Sequence, residues 1–176
     1  MDGAYDRAVT EVPPLTPLAT AALHVGDPER ILQVQCGEGD GALFLAREFP
    51  RASVRGVDAD EAAIRHASAR VGLDPEGRVA FKTGKPRKLP FPEDLCDLVV
   101  LLDAPPPARE VARVLRPGGY LLVARSSGGP ETGIGARLRG WRLRRAGIEP
   151  IWSEVVAEGS YSVSRLRGGG QAPRRK

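Results

Sequence analysis

The stretch Ile31-Leu-Gln-Val-Gln-Cys-Gly-Glu-Gly-Asp-Gly-Ala42 changes from an apolar-biased run to glycines at alternate positions. A second apolar run, Leu43-Phe-Leu-Ala46, then follows. This order predicts a buried strand, a tight turn and the start of a helix. Glycine allows positive φ and close approach to the main chain, and the first helical N–H groups point to the same place. The stretch therefore predicts a small-molecule pocket at the turn.

The composition is typical of one foldable domain. The chain has 176 residues, of which 41% are hydrophobic, so it can bury a real core. Cys36 and Cys96 each lie in an apolar run, which predicts buried thiols rather than a disulfide or a metal site. The first residues lack the basic and apolar segments of a signal peptide. We therefore expect a soluble, cytoplasmic protein that has no metal and does not bind membranes.

The formal charge of +4 permits an anionic partner. Much of the excess lies at positions 137–145 and 174–176, and a basic helix face or tail can bind nucleic acid. Aromatic residues make up only 5% of the chain, so stacking platforms for single strands are scarce. A solvated basic face is the favoured interpretation, with nucleic acid and homo-oligomerisation left open.

Strand-like and helix-like patterns alternate after the turn. The expected strands that follow the first one lie at 52–58, 77–83, 96–102 and 120–124. The run at 96–102 is apolar on both faces, which is typical of a central parallel strand. The alternation predicts a doubly wound, Rossmann-like α/β sheet that is mostly parallel, with ligands beyond the carboxyl ends of its strands.

The two ends of the chain differ from this pattern. Residues 1–28 are expected to form a leader with a short helix between Leu15 and Val25, residues 29–167 the α/β domain, and residues 168–176 a basic flexible tail. Residues 149–157 and 160–166 predict an antiparallel hairpin at the edge of the sheet.

One helix is expected between the fifth strand and this hairpin. Ile134, Leu138 and Trp141 fall at helical spacing, with arginines between them. We predict that this helix packs its apolar stripe on the sheet. His24 and His66 are expected to be surface or packing residues rather than catalytic groups.

The glycine turn matches a known nucleotide-binding pattern. Gly37-x-Gly39-x-x-Ala42 satisfies the dinucleotide fingerprint, and Asp58 follows at the distance expected of an acid that accepts from a ribose hydroxyl. Such an acid suits any adenosine-containing cofactor. A nicotinamide-dependent oxidoreductase is thus one alternative, although no hydride-transfer constellation is evident.

Four ordered segments together resemble the class I S-adenosylmethionine-dependent methyltransferases, from about Arg30 to Leu166. The matching segments are Leu32-Gln-Val-Gln-Cys-Gly-Glu-Gly39, Val54-Arg-Gly-Val-Asp58, Leu89-Pro-Phe-Pro-Glu-Asp-Leu-Cys-Asp-Leu-Val99 and Glu110-Val-Ala-Arg-Val-Leu-Arg-Pro-Gly-Gly-Tyr-Leu-Leu-Val123. The resemblance implies a seven-stranded sheet with an antiparallel strand inserted near its edge. It also implies transfer of a methyl group from S-adenosylmethionine to an acceptor that the sequence does not identify.

The resemblance also assigns the cofactor-binding residues. Gly37 and Gly39 would let the methionine part approach the backbone, Asp58 would accept from the ribose hydroxyls, and residues 84 and 85 would border the adenine. The full set is Gln33, Gln35, Gly37, Gly39, Asp58, Ala59, Gly84 and Lys85.

Three members of this set depart from the family pattern. Gln33 and Lys85 stand where the family usually has acids, and Gln35 stands where it has a glycine. Residues 33 and 35 of a strand share a face, so both glutamines are expected to project near the pocket and Gln35 to fill part of it. Lys85 has no acceptor for the adenine amino group. These departures favour an alternative, a methyltransferase-like domain that has lost the cofactor and acts through protein contacts.

Asp103 is the candidate catalytic residue. Methyl transfer is an in-line displacement, so positioning supplies much of the rate and a base is needed only for a protonated nucleophile. Asp103 directly follows the fourth strand, where it could accept that proton. Asp103-Ala-Pro-Pro106 faintly resembles the Asp/Asn-Pro-Pro-aromatic motif of amino-group methyltransferases. The alternative role is that of a helix cap or an exposed acid.

Overall fold

A computed structural model describes residues 14–72 and 76–168 of the chain. The remaining parts of the expected leader and tail, residues 1–13 and 169–176, lie outside the described residues. The strands are β1 (Arg30–Val34), β2 (Ser53–Asp58), β3 (Val79–Thr83), β4 (Cys96–Leu102), β5 (Leu115–Arg125), β6 (Ile148–Val156) and β7 (Gly159–Leu166). The helices are α1 (Thr16–Ala22), α2 (Asp40–Glu48), α3 (Glu61–Val71), α4 (Ala108–Val114) and α5 (Gly133–Arg145).

All of these strands belong to one seven-stranded sheet of order β3-β2-β1-β4-β5-β7-β6. Strands β1 to β5 pair in parallel, and β7 lies antiparallel between β5 and β6. The predicted doubly wound sheet, its inserted antiparallel strand and its terminal hairpin are therefore confirmed. The strand order reverses between β1 and β4, and ligands of such sheets bind beyond that switch point.

Helices cover both faces of the sheet, and the central strand β4 is therefore buried throughout. On one face, Leu18 of α1 and Leu45 of α2 pack in a common core with Leu98. On the other face, Val111 of α4 packs with Val99. The central strand is therefore buried on both sides, as the apolar run at 98–102 predicts, and Asp97 is its one charged residue.

A buried carboxylate ties the starts of three strands together. Asp97 is 5% exposed, and its Oδ2 atom accepts from the backbone N–H groups of Glu29 and Arg30 at 2.8 Å each. Its Oδ1 atom lies 2.5 Å from Nε of Arg116. A buried charge is tolerated when it is paired and hydrogen-bonded, so this aspartate fixes β1 against β4 and β5.

A second ion pair holds the loop that leads into β4. Glu110 accepts from Arg113 Nε at 2.9 Å and from the backbone N–H of Leu89 at 2.7 Å. Arg113 also donates to the carbonyl of Phe91 at 2.8 Å. The hydrogen bond from Arg113 lowers the pKa of Glu110 below its ordinary value. Two residues on one turn of α4 thus anchor the proline-rich loop.

Helix α5 contradicts the prediction for its apolar stripe. Ile134, Leu138 and Trp141 point to solvent, and α5 has no buried residue. Its inner face carries Leu143, which packs against the core, beside small or charged side chains such as Ala136 and Arg139, which leave space above the sheet. Periodicity identified the helix correctly, but the side that faces the sheet is the opposite one.

Candidate functional site

The glycine turn after β1 has an open side and a packed side. Gly37 and Gly39 have φ of +53° and +88°, in the left-handed region that glycine favours. A Cβ on Gly39 would lie 2.7 Å from the Phe81 ring, whereas a Cβ on Gly37 would meet nothing within 4 Å. Gly39 therefore permits the turn to pack on β3, and Gly37 leaves its outer side accessible to a ligand.

Asp58, the last residue of β2, anchors this turn. Its Oδ2 atom accepts from the backbone N–H of Gly37 at 2.9 Å, and its Oδ1 atom accepts from the N–H of Asp60 at 3.0 Å. A carboxylate offers about four acceptor positions, so each oxygen keeps one for another donor. The acid that the sequence singled out thus lies beside the turn and can still accept hydrogen bonds from a ligand.

The expectation that Gln33 and Gln35 project together is wrong. β1 ends at Val34, and Gln35 has φ of +56°, so the strand's alternation does not extend to it. Gln33 is 1% exposed and packs under the first turn of α2, where a Cβ on Gly41 would lie 2.5 Å from its Nε2 atom. Its Oε1 atom is buried and has no partner among the residues that the structure describes. The two glutamines do not form a joint obstruction at the turn.

The end of β3 lies next to Asp58. The N–H of Gly84 donates to the carbonyl of Asp58 at 2.8 Å, and a Cβ on Gly84 would lie 2.8 Å from the Val57 side chain. Ala59 and Lys85 are both exposed. The carboxyl ends of β1, β2 and β3 thus bring the turn, the acid and the glycine to one edge, with Lys85 at its margin.

Asp103 follows β4 at the same edge of the sheet. It is exposed, has φ of +55°, and accepts from the backbone N–H of Ser126 at 2.8 Å. The residue before α4 is Pro107, and no side chain caps that helix. Asp103 is therefore not a helix cap: it joins the segments that follow β4 and β5.

A cavity of about 300 Å³ lies between α5 and strands β5, β6 and β7. Asp103 and Pro105 are among its lining residues, and Leu143 and Val123 provide apolar walls. Sequence reasoning missed this cavity because it expected α5 to fill the space. A smaller cavity, of about 170 Å³, lies at the opposite edge of the sheet beside Arg30.

Serines of β7 supply the polar lining of the larger cavity. Ser160, Ser162 and Ser164 share the face of Val123, since Ser162 pairs with Val123 in the register of β5 and β7. Ser160 and Ser164 are 3% and 7% exposed, so these two serines are buried. The three serines thus place polar groups among the apolar walls of the cavity. In the sequence, serines at alternate positions of the predicted strand at 160–166 indicated a polar strand face.

Comparison with known proteins identifies the family. Residues 31–119, about half of the chain, match a family model described as a methyltransferase domain. The chain belongs to this family. The match includes the glycine turn, Asp58, Gly84 and Asp103. Neither the nicotinamide oxidoreductase nor the non-catalytic alternative finds support in these comparisons.

Two curated relatives are similar over part of their length. Phthiotriol/phenolphthiotriol dimycocerosates methyltransferase 1 of Mycobacterium ulcerans is 38% identical over 141 residues, which are 73% of this chain and 49% of the relative. A fatty-acid O-methyltransferase of Mycolicibacterium smegmatis is 36% identical over 111 residues, which are 59% of this chain and 39% of the relative. The chain thus spans about half or less of the length of these relatives.

A solved structure shows the same fold at lower identity. A SAM-dependent methyltransferase from Aquifex aeolicus has a TM-score of 0.70 and 18% identity, and the alignment covers 85% of this chain and 88% of that one. No helix in the described part of the chain is both long and apolar enough to cross a membrane.

Proposed function

We propose that this protein transfers a methyl group from S-adenosylmethionine to a lipophilic acceptor. The observation that carries the proposal is the hydrogen bond from Gly37 to Asp58 at the switch point of a methyltransferase-family sheet. It holds an open glycine turn beside an acceptor-only side chain. Such a pair suits a ligand that has both a zwitterionic end and a ribose.

The residues at this edge fit the cofactor. The methionine part would lie along the open side of Gly37, and Asp58 would accept from the ribose hydroxyls. Ala59, Gly84 and Lys85 would border the adenine, and Gly39 would maintain the turn. When bound, S-adenosylmethionine supplies a methyl group that the positive sulfonium already activates. The protein has to position the acceptor against that group and exclude water from it.

The departures from the family pattern leave this fit in place. Gln33 occupies space under α2 rather than the open side of Gly37, and its Oε1 atom remains an unused acceptor. Lys85 is exposed, so it can turn to solvent without blocking the adenine position. Gln35 stands in a left-handed conformation where the family has a glycine. This conformation lowers the stability of the fold but leaves the acceptor groups of Asp58 unchanged.

The cavity beneath α5 favours a lipophilic acceptor. Apolar side chains such as Val123 and Leu143 form its walls, and the serine hydroxyls provide a few polar contacts. The names of two relatives specify a fatty acid and a dimycocerosate. Asp103 is one of the residues that line the cavity, so its carboxylate can accept the proton of an acceptor hydroxyl bound there. We infer an acceptor with an apolar chain and a hydroxyl or carboxyl group.

Product analysis with labelled cofactor tests the acceptor class. Purified protein is incubated with S-adenosylmethionine carrying a deuterated methyl group, together with fatty acids, fatty alcohols, RNA or peptides, and products are detected by mass spectrometry. We expect label in the fatty acids or alcohols, and none with the Asp58→Ala variant. Label in RNA or peptides would contradict the lipophilic acceptor but support methyl transfer, whereas no label in any class would count against the activity itself.

A further inference from the structure

Helix α5 presents an apolar stripe to solvent. Ile134, Leu138 and Trp141 are 78%, 50% and 54% exposed. Their spacing of four and three residues places them on one face of the helix. The opposite face, which includes Ala136 and Leu143, lines the cavity above the sheet. A helix of a doubly wound sheet normally buries such a stripe, so its outward direction indicates a binding surface.

Basic side chains border this stripe. Helix α5 contains five arginines and no acidic residue. Arg139 pairs with Glu131, but Arg137 and Arg142 form no ion pair within the described part of the chain. The guanidinium carbon of Arg145 lies 5.3 Å from the centre of the Trp141 ring. The surface therefore combines exposed apolar groups with uncompensated positive charge.

We propose that the outer face of α5 docks on an anionic lipid surface. A basic helix with tryptophan and leucine side chains on one face binds in the plane of a bilayer interface, where phosphates meet the arginines and acyl chains meet the apolar groups. The helix lies on the bilayer and does not span it. The proposal departs from the expectation, drawn from the sequence, that membranes are not partners, and it does not depend on methyl transfer.

Other occupants match this surface less well. A second copy in a symmetric dimer would bring two sets of arginines together, and like charges oppose that contact. Nucleic acid would satisfy the arginines but would leave Ile134 and Leu138 without apolar partners, because its binding relies on charge and on stacking against aromatic rings. A bilayer with anionic headgroups complements both components of the surface.

Vesicle sedimentation tests the proposal directly. The full chain is centrifuged with vesicles of phosphatidylglycerol and phosphatidylcholine, and separately with pure phosphatidylcholine. We expect association with the anionic vesicles that weakens as salt is added. In a Trp152→Phe background, the emission of Trp141 should shift to shorter wavelength on binding. No sedimentation with anionic vesicles at low salt would overturn the proposal.

Variants distinguish vesicle binding through the stripe from nonspecific adsorption of the protein. Leu138→Glu should lower vesicle affinity about tenfold or more, because it replaces an inserted apolar group by a charge. Arg142→Gln and Arg145→Gln should each lower it about fivefold on anionic vesicles. Leu23→Glu is the matched control: Leu23 is 81% exposed beside α1, so its replacement should leave affinity unchanged.

Three further outcomes would contradict the docking proposal. Equal vesicle binding by the Leu138→Glu variant and the native chain would show that the stripe is not the contact. A dimer in sedimentation velocity that Leu138→Glu dissociates would assign the stripe to a second copy. If RNA shifts the emission of Trp141 to shorter wavelength and vesicles do not, the surface would be assigned to nucleic acid. Thermal unfolding of each variant is the control for an intact fold. We expect little change, because all of these substitutions lie at exposed positions.

Discussion

The carboxylate of Asp58 accepts a hydrogen bond from the backbone N–H of Gly37, with 2.9 Å between Oδ2 and the nitrogen. This bond joins the end of β2 to the glycine turn after β1. A second bond, from the N–H of Asp60, fixes the other carboxylate oxygen. The acid is thus oriented before any ligand arrives, and preorganised groups lose less entropy on binding. The proposed cofactor site depends on this relationship.

The conformation of Gln35 predicts that a glycine would stabilise the protein. A residue other than glycine in the left-handed region costs about 1–2 kcal/mol, part of which glycine's extra unfolded-state entropy offsets. We expect Gln35→Gly to raise the free energy of unfolding by about 0.5–1 kcal/mol in urea titrations. Ala157→Gly, at φ of +53° in the β6–β7 turn, is the matched control and should gain a similar amount. A loss of stability in Gln35→Gly alone would show that the Gln35 side chain makes contacts worth more than the strain.

Asp103→Asn separates a proton-accepting role from a structural one. Asparagine tolerates positive φ, and its amide oxygen can still accept from the N–H of Ser126, so stability should change by less than about 1 kcal/mol. It cannot accept the proton of an acceptor hydroxyl, so kcat with a fatty alcohol should fall about a hundredfold or more. A fatty acid that reacts as its carboxylate needs no base and serves as the internal control. An unchanged kcat with the alcohol would limit Asp103 to holding the Ser126 segment.

The ion pair of Glu110 and Arg113 predicts an acid-sensitive component of stability. The folded protein lowers the pKa of Glu110, chiefly through the hydrogen bond from Arg113, so its stabilisation is present above pH 4.5 and is lost as the pH falls through the folded value. Arg113→Met should cost about 2–3 kcal/mol at pH 7, since it removes hydrogen bonds to a charged group. Its stability should also depend less on pH below 4.5. Arg109→Met, an exposed neighbour on α4, should leave both properties unchanged.

The two buried thiols predict a loss of stability at alkaline pH. Burial raises the pKa of Cys36 and of Cys96 from 9.0 to about 12, and the charge of Asp58 adds to the effect at Cys36. Unfolded thiols ionise near 9, so stability is complete below pH 9 and falls as the pH rises towards 12. Urea titrations of the Cys36→Ala/Cys96→Ala variant should show a shallower decline. Rapid reaction of the native thiols with a thiol reagent at neutral pH would contradict this burial.

The sequence predicted most of the sheet because its signals are local. The glycine turn, the acid at the end of β2 and the mostly apolar β4 each follow from a few adjacent residues, and all three are found where the pattern placed them. Gln35 was misplaced because strand alternation was extended one residue past Val34, into a left-handed turn. The glycine that the family has at this position already indicated a left-handed conformation there.

Features that depend on how elements pack could not be predicted in the same way. The spacing of Ile134, Leu138 and Trp141 identifies a helix, but periodicity does not state which side faces the sheet. Apart from Leu143, the side chains on the inner face of α5 are mostly small or charged, and they leave a cavity above β5 and β7. The lining serines became recognisable as a site only when their register against Val123 was known.

The most direct test of the proposed cofactor site is calorimetric titration of S-adenosylmethionine and of its demethylated product into the purified protein. Asp60→Ala is the matched control, since it removes the cap of α3 at the N–H of Ala62 but leaves the carboxylate of Asp58 in place. We predict micromolar binding of both compounds to the native chain and to Asp60→Ala, and loss of that binding in Asp58→Ala. Absence of binding to the folded native chain, or equal affinity in Asp58→Ala, would contradict the account.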